Sequence, residues 1–322
     1  MDNLTHTLAG LMMSRAGIDR KIPRAAAIMT ISANIPDIDV VSLAGGPLAY
    51  LQWHRSYAHS LICSPLMALL SLLIVFAIWR TPFSWLAYFY ALLGVLSHLA
   101  LDWTNTYGIR LFLPFSEKMP RLDVTSVIDP WIWCILLLAV AAPALSRMVG
   151  VEIGSKKSAG PKRAWAWIAL VALCSYEGAR YAAHARALAL MNTRLFNGAV
   201  PRRLAAIPGA NPLRWRGIAE GGDFVAILPM DLTAQFDPSA ARIDYPAPSG
   251  PAIEAAKRTR AFQVFGAFSQ LPFWKITSLA DAKQVELIDL RFGTPERPGF
   301  EARAVVDSTG AVRQSRFTFG GP

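Results

Sequence analysis

The sequence predicts an α-helical integral membrane domain, with about four spans plus two short N-terminal helices, followed by a small soluble α+β or mainly β domain. Of its 322 residues, 53% are hydrophobic and only 17% are charged, against roughly 25% in an average soluble domain. The apolar residues concentrate between residues 61 and 190. Proline and glycine become frequent only after about residue 197, so we predict a membrane-embedded helical domain over 1–196 and an extramembrane soluble domain over 197–322.

Two short apolar stretches open the chain, Leu8–Met13 and Ala25–Ala33. Each is too short to cross a hydrocarbon core alone, which takes about 20 apolar residues. We therefore predict two half-buried helices that lean on the bundle. The beginning of the chain does not resemble a cleavable signal peptide, because Asp2 and His6 interrupt it.

Four later segments have the apolar composition of membrane spans, and tryptophans at their ends are typical of an aromatic belt. The four are Leu61–Trp79, Phe83–Leu101, Trp131–Leu145 and Ala164–Tyr176. Lys and Arg collect in the loop 146–163, which predicts a cytoplasmic loop there. Counting spans from that loop places the tail, together with residues 54–60 and 102–130, on the outer side.

The tail carries patterns of strands and of one helix. Val285–Phe292, Phe300–Val306 and Val312–Phe319 alternate or run apolar as strands do, and Asp307–Gly310 predicts a hairpin turn. Arg258–Phe268 has phenylalanines at helical spacing.

Charge and cysteine usage exclude other classes of protein. The net charge is +10, but the basic residues are scattered through the tail or flank apolar segments, where membrane topology explains them, so we expect no nucleic-acid partner. The three cysteines, Cys63, Cys134 and Cys174, lie inside apolar runs, which disfavours a disulfide framework or a cysteine-based zinc site.

Histidines and acids cluster in the first third of the chain. His98 and Asp102 are four residues apart, which on a helix places both on one face. A hairpin of the first two spans would bring their outer ends together, so His59 should meet this pair at one membrane face. The full set of candidate metal ligands is His6, Asp37, Asp39, His54, His59, His98 and Asp102.

Imidazole and carboxylate groups are the ligands that zinc and similar divalent metals prefer. Seven donors exceed the need of one tetrahedral ion and suit two or more ions, with zinc expected first and manganese or another divalent ion as alternatives. Taken singly, the motifs have plainer explanations: His6 as an interfacial residue, Asn34–Asp39 as a helix stop, and the pair His54 and His59 as a polar hairpin entry. Their coincidence on one face favours a metal site.

At these residues the sequence resembles the YdjM-like, LexA-regulated, membrane-bound metal-dependent hydrolases of bacteria. The matching motifs span roughly residues 1–150 and are Asp2–Thr7, Asn34–Asp39, His54–Ser60, His98–Gly108, Pro114-Phe115 and Asp129-Pro130. The resemblance implies a multi-pass inner-membrane protein with a metal-dependent hydrolase activity, whose ligands are the seven residues given above. The family is also distantly similar to helical zinc phospholipase C and nuclease enzymes, which cleave phosphoesters.

These observations predict a membrane-bound hydrolase that cleaves a phosphoester of a lipid or amphiphilic substrate with metal-activated water. Asp37 or Asp39 could accept a proton if it is not a ligand, and Arg55 could hold a phosphate. The expected partners are the lipid bilayer and the amphiphilic substrate. A non-enzymatic metal-binding transporter or sensor is the alternative, and an anchor for the tail is a third. Ligands at span ends favour the enzyme, since transport sites lie near the midplane.

Overall fold

The computed structural model describes residues 1–152 and 162–320. Their contacts divide the chain into two compact units. The helical unit comprises Met1–Ile38, Arg55–Arg186 and Pro208–Arg214. The sheet unit comprises Asp39–His54, Ala187–Ile207 and Trp215–Pro322.

Nine α-helices are described along the chain. They are α1 (Asn3–Arg15), α2 (Ala25–Ser32), α3 (Pro47–Trp53), α4 (Ser64–Trp79), α5 (Trp85–Thr104), α6 (Pro130–Glu152), α7 (Lys162–Asn192), α8 (Pro251–Lys257) and α9 (Arg260–Phe268). The helices α1 and α2 confirm the two short N-terminal helices. A 3-10 segment, Ile35–Gly45, follows α2.

The ends of the helices in the helical unit follow from local chemistry. Asp2 caps α1, because its carboxylate accepts a hydrogen bond from the backbone N–H of Thr5 at 3.0 Å. Ser84 caps α5 through Ala87 in the same way. Between α4 and α5, Arg80 takes a left-handed conformation with φ 54°, which ends α4 and lets the chain reverse.

Close packing through small residues holds α2 between α1 and α5. A Cβ atom on Gly10 of α1 would lie 2.6 Å from the carbonyl oxygen of Met29 in α2. A Cβ atom on Gly94 of α5 would lie 2.8 Å from the Cβ of Ser32. Glycine therefore allows these helices to approach backbone to backbone, as is common in membrane bundles. Apolar side chains fill the remaining space, including Met12 with Leu136 in one cluster.

Two helices are long and apolar enough to cross a membrane, Trp85–Thr104 and Pro130–Met148, and these candidates coincide with the second and third predicted spans. Two further pairs of helical segments, each broken by a bend, would raise the count to four if each pair were one span: Ala25–Ser32 with Ile35–Gly45, and Pro47–His59 with Ser64–Trp79. The described residues thus contain two to four candidate spans.

The first and fourth predicted spans are not confirmed by length and composition. The helix α4 has only 16 residues, because Leu61–Cys63 form a turn before it, so it reaches spanning length only with the segment that precedes it. The segment Ala164–Tyr176 belongs to the 31-residue α7, which is not among the candidate spans in the described chain. Glu177 and Arg180 lower the hydropathy of this segment below that of a candidate membrane span. Lys156 and Lys157, which contribute to the predicted cytoplasmic loop, lie outside the described residues.

The sheet unit contains two four-stranded sheets, each with its strands paired in chain order. The first contains β1 (Arg203–Pro208), β2 (Arg214–Glu220), β3 (Val225–Asp231) and β4 (Arg242–Asp244). The second contains β5 (Pro272–Ser278), β6 (Ala282–Asp289), β7 (Phe300–Asp307) and β8 (Val312–Phe319) and is antiparallel throughout.

The second sheet confirms the predicted strands and turn. The strand β6 ends at Asp289, three residues before the predicted end, because Leu290–Phe292 form a 3-10 turn. At the hairpin between β7 and β8, the N–H of Gly310 donates to the carbonyl of Asp307 at 3.0 Å. Gly310 has φ 86°, a left-handed conformation that favours glycine.

The predicted helix Arg258–Phe268 is confirmed as α9, which begins two residues later. Its phenylalanines are buried, as their spacing predicts. Strands of both sheets share one apolar core, to which Ile218 and Ile227 contribute from the first sheet and Phe273 and Ile288 from the second.

Candidate metal centre

Four side chains of the helical unit converge on one buried point. They are Asp37, His59, His98 and Asp102, and one ligand atom of each lies within 4.8 Å of the other three. His59, His98 and Asp102 are fully buried, and Asp37 is 7% exposed. A buried cluster of two imidazoles and two carboxylates could hold a metal ion, because these groups match the donors of zinc and related divalent metals.

Backbone turns place the two ligands that lie outside α5. The side chain of Asn34 donates to the carbonyl of Thr30 at 2.7 Å and to the hydroxyl of Thr7 at 3.0 Å, which fixes the end of α2. The N–H of Asp37 then donates to the carbonyl of Asn34 at 3.1 Å. His59 closes a short 3-10 turn, with its N–H bonded to the carbonyl of Ser56 at 3.0 Å.

The orientation of His98 is set by a hydrogen bond on the far side of its ring. Its Nδ1 lies 2.8 Å from the carbonyl oxygen of Ala33, so Nδ1 carries the proton and Nε2 presents a lone pair. That Nε2 atom lies 3.1 Å from Nε2 of His59. Two facing imidazole nitrogens need a proton or a cation between them, so the pair could share a metal ion.

Carboxylate oxygens surround the same two nitrogens. Nε2 of His59 lies 3.4 Å from Oδ1 of Asp37 and 3.5 Å from Oδ2 of Asp102. Nε2 of His98 lies 3.8 Å and 3.6 Å from the same two oxygens. Oδ2 of Asp102 is buried and makes no hydrogen bond among the described residues. Buried carboxylate oxygens normally accept a hydrogen bond or bind a cation, so this oxygen is a candidate metal ligand.

His6 lies against the cluster from α1. Its ring stacks on that of His98 with centroids 3.8 Å apart, and its Nε2 is 3.4 Å from Oδ1 of Asp102. Neither of its ring nitrogens makes a hydrogen bond within the described chain. Burial, and then the neighbouring His98, lower the pKa of His6 well below its usual value, so the ring is neutral, which is the form that binds metals.

Arg55 is joined to Asp102 rather than exposed in an open cleft. Its Nη2 donates to Oδ1 of Asp102 at 3.0 Å, and its Nη1 donates to Oδ1 of Asn105 at 3.0 Å. The α-amino group of Met1 contacts the same Asp102 oxygen. The guanidinium lies over the ring of Tyr107, 4.7 Å from its centroid. The sequence analysis missed Asn105 and Tyr107, although both lie within the motif His98–Gly108.

The remaining two predicted ligands lie in the sheet unit and contact each other. Nδ1 of His54 is 2.7 Å from Oδ1 of Asp39, and the ring of Tyr50 stacks on His54 at 4.4 Å. Of the seven predicted ligands, the structure therefore brings five together in the helical unit: His6, Asp37, His59, His98 and Asp102. The assignment of Asp39 and His54 as metal ligands stays a prediction.

A second polar group is buried near the end of α5. The hydroxyl of Tyr176 donates to Oδ2 of Asp129 at 3.0 Å, and the hydroxyl of Thr104 donates to Glu177 at 3.4 Å. Nε of Arg180 donates to the carbonyl of Val124 at 3.0 Å. Tyr176, Glu177 and Arg180 of α7 are thus directed into the protein.

Comparisons with known proteins support the membrane assignment. A family model described as YdjM inner membrane protein matches residues 1–187. The uncharacterized protein YfhP of Bacillus subtilis (strain 168) is 22% identical over 324 residues, which cover 98% of this chain and 94% of that protein. No solved structure matches the chain. Because the family match covers more than half of the sequence and includes the whole buried cluster, the chain belongs to the YdjM inner membrane protein family.

Proposed function

We propose that this protein is a membrane-bound metal-dependent hydrolase that cleaves a phosphoester of a lipid or amphiphilic substrate. The observation that carries the proposal is the buried convergence of Asp37, His59, His98 and Asp102. Ionisable groups at the end of an apolar helix are costly to bury and by default indicate function. A purely structural role would not require two imidazoles and two carboxylates to face one point.

The spacing of the donors fits one divalent ion. A tetrahedral zinc site with bonds of about 2.0–2.1 Å has neighbouring ligand atoms roughly 3.3–3.4 Å apart. The separations from the nitrogens of His59 and His98 to each other and to the two carboxylates run from 3.1 to 3.8 Å. We therefore propose zinc as the first metal to test, with manganese as the alternative, and His6 as the donor nearest to a second position.

A bound divalent cation would supply an acidified water and a positive charge against phosphoryl oxygens. The protein's own residues prepare the site for it. Ala33 fixes the tautomer of His98, and Arg55 holds Asp102 while adding a buried positive charge beside it. We propose that this charge also attracts the phosphate group of a substrate. Asp37 and Asp39 stay the proposed proton acceptors, each in the event that it does not bind metal.

The position of the centre favours substrates held in the bilayer. His98 and Asp102 lie in the last two turns of α5, a candidate span, so the centre belongs to one end of an apolar helix. Amphiphiles collect at such a depth, with their phosphate groups at the interface. We propose a lipid-like phosphoester on this ground.

The alternative function is a metal-binding transporter or sensor, and the complete burial of His59, His98 and Asp102 favours it. A hydrolase must open a path for substrate, whereas an ion needs only a narrow one. The two functions differ in one measurable respect, because only the hydrolase turns over a phosphoester when loaded with metal.

The test begins with the metal content of detergent-purified protein, measured by elemental analysis. We expect stoichiometric zinc or manganese in the wild type and its loss in His98→Ala/Asp102→Ala. His184→Ala is the matched control, since this histidine lies in α7 and is not among the clustered ligands, and it should retain the metal. Metal-loaded wild type should then hydrolyse phospholipid in mixed micelles. Metal retained in the double variant would refute the ligand assignment, and binding without hydrolysis would favour the transporter or sensor.

A further inference from the structure

A loop of the helical unit, residues 109–120, exposes two phenylalanines. Phe115 is 83% exposed and Phe112 is 51% exposed. The residues between and before them point inwards, because Ile109, Leu111 and Leu113 are all buried. The loop therefore has a well-formed apolar interior and still presents large apolar side chains outwards. Apolar side chains exposed together indicate a surface that is covered by something other than water.

Hydrogen bonds fix this loop to the segment that carries the candidate metal ligands. The N–H of Arg110 donates to the carbonyl of Arg55 at 3.1 Å, and the N–H of Leu61 donates to the carbonyl of Leu111 at 3.0 Å. The base of the loop is closed by a bond from the N–H of Ile109 to the carbonyl of Pro120 at 3.3 Å. The phenylalanines are thus held in place next to the turn that positions His59.

The apolar surface continues from the loop towards α4. Leu61 and Ile62 are exposed in the turn that Leu111 contacts, and Leu66 is exposed in the first turn of α4. Farther along, Leu73 and Phe76 are exposed as well. The loop therefore adjoins, through the hydrogen bond of Leu61 to Leu111, a run of exposed apolar residues that continues into α4, which is part of a bent candidate span.

Charged residues flank the phenylalanines on the same loop. Glu117 and Lys118 are exposed just after Phe115, and Arg110 is half-buried just before Phe112. Aromatic side chains beside cationic ones are typical of segments that lie at the boundary between lipid headgroups and acyl chains. A protein partner or a second copy would explain exposed phenylalanines, but it would not explain why the surface runs on into α4.

We propose that the loop 109–120 inserts Phe112 and Phe115 into the interfacial layer of the lipid bilayer, beside the candidate metal centre. The occupant of this surface is the phospholipid membrane itself. The loop thereby fixes the depth at which the centre meets the bilayer. Contact between this loop and the bilayer does not depend on whether the protein is a hydrolase.

The test places a fluorescent probe on the loop. In a variant whose three cysteines are replaced by alanine, Phe115→Cys is labelled with a nitrobenzoxadiazole dye, and the full chain is reconstituted into vesicles of phosphatidylethanolamine and phosphatidylglycerol. We expect quenching by lipids that carry a nitroxide near the headgroup, and several-fold weaker quenching by aqueous iodide. Thr309→Cys, in the exposed turn between β7 and β8, is the control and should show the reverse.

A second measurement leaves the native cysteines in place. Phe115 is replaced by the photoreactive, nearly isosteric benzoylphenylalanine, and irradiated vesicles are analysed for adducts. We expect adducts with phospholipid. Equal quenching of both probes by iodide would overturn the proposal. Adducts between two copies of this chain, or between this chain and another protein, would also overturn it, because the surface would then be a protein interface.

Discussion

At the scale of single residues, the pairing of Arg55 with Asp102 is the contact on which the candidate centre most depends. Arg55 is buried and has φ 57°, a left-handed conformation that turns its guanidinium towards Asp102 and Asn105. A buried carboxylate that loses its partner is left with an uncompensated charge. The arginine therefore compensates the buried negative charge of Asp102.

We predict that Arg55→Gln lowers the free energy of unfolding by about 3–5 kcal/mol, the usual cost of breaking a buried ion pair. The measurement is thermal unfolding of the detergent-purified protein, with metal content determined in parallel. Arg242→Gln is the control, because Arg242 pairs with Asp244 at 2.8 Å on the surface, and such pairs contribute at most about 1 kcal/mol. An equal decrease in the free energy of unfolding of the two variants would show that the buried Arg55–Asp102 pair stabilises the protein no more than a surface pair does.

A buried ion pair in the sheet unit gives a prediction about pH. Burial opposes the ionisation of Asp289, but the guanidinium of Arg291 at 2.6 Å holds the pKa of this carboxyl below its usual value. A carboxyl whose pKa is lowered by folding stabilises the protein above its unfolded pKa of about 3.9, and this contribution is lost as the pH falls through the folded pKa.

We therefore expect Asp289→Asn to unfold at a lower temperature than wild type at pH 7, and the gap to narrow as the pH is lowered below about 4. Thermal unfolding of both proteins over a pH series measures this difference in unfolding temperature. Asp244→Asn serves as the comparison, since its partner Arg242 is exposed and the pair should matter little at any pH. A gap that stays constant down to acid pH would mean that the ion pair does not stabilise the fold.

The sequence predicted part of the centre and missed part of it, for physical reasons. The spacing of His98 and Asp102 on one helix is local, so the pairing of these two could be read from the chain. The ion pair between Arg55 and Asp102 joins residues far apart in sequence and depends on a left-handed backbone at Arg55. Sequence patterns do not reveal such a conformation in a residue other than glycine.

At the scale of elements, α2 is the helix that positions the others, because α1 and α5 both approach it through glycine. The helix α1 carries His6, α5 carries His98, and the segment after α2 carries Asp37. Separation of α1 from α2 would therefore disturb the arrangement of the candidate ligands.

We predict that Gly10→Ala destabilises the protein by about 1–3 kcal/mol and weakens metal retention, since the new methyl group would meet the backbone of α2. Gly178→Ala is a matched control in α7, where nothing lies within 4 Å of the added Cβ atom. It should be neutral or stabilising by about 0.5–1 kcal/mol, because alanine favours helices over glycine. Thermal unfolding of both variants is the measurement. Destabilisation of Gly10→Ala alone would indicate overpacking against α2, whereas equal destabilisation of both would indicate a general effect of replacing glycine by alanine.

The strands show why some elements were predictable and others were not. The strands β6, β7 and β8 have clear apolar patterns, and the turn before β8 has its glycine. The first sheet was not predicted, because its strands contain residues that usually interrupt strands. Pro229 lies in β3 at an exposed position, and Gly217 lies in β2 where a Cβ atom would be 2.8 Å from the side chain of Leu228.

At the scale of the whole molecule, the side of the membrane on which the tail lies depends on α7. The helix has 31 residues, and at about 1.5 Å per residue this length exceeds the roughly 30 Å of a hydrocarbon core. It is too polar to count as a candidate span by composition. Three polar residues near its middle are nevertheless directed into the protein, since Tyr176 bonds to Asp129, Thr104 donates to Glu177, and Arg180 is buried against Val124.

Composition alone therefore underestimates how apolar the outer surface of α7 is. Trp167, Ile168 and Val171 are exposed on it, as on a helix that faces lipid. We predict that α7 crosses the membrane and that the tail lies on the outer side, opposite the basic loop. In the cysteine-free variant, Thr309→Cys should react with a membrane-impermeant maleimide in intact spheroplasts, whereas Lys156→Cys should react only after lysis. Protection of both cysteines until lysis would mean that α7 does not cross and that the soluble domain shares the cytoplasmic side with the basic loop.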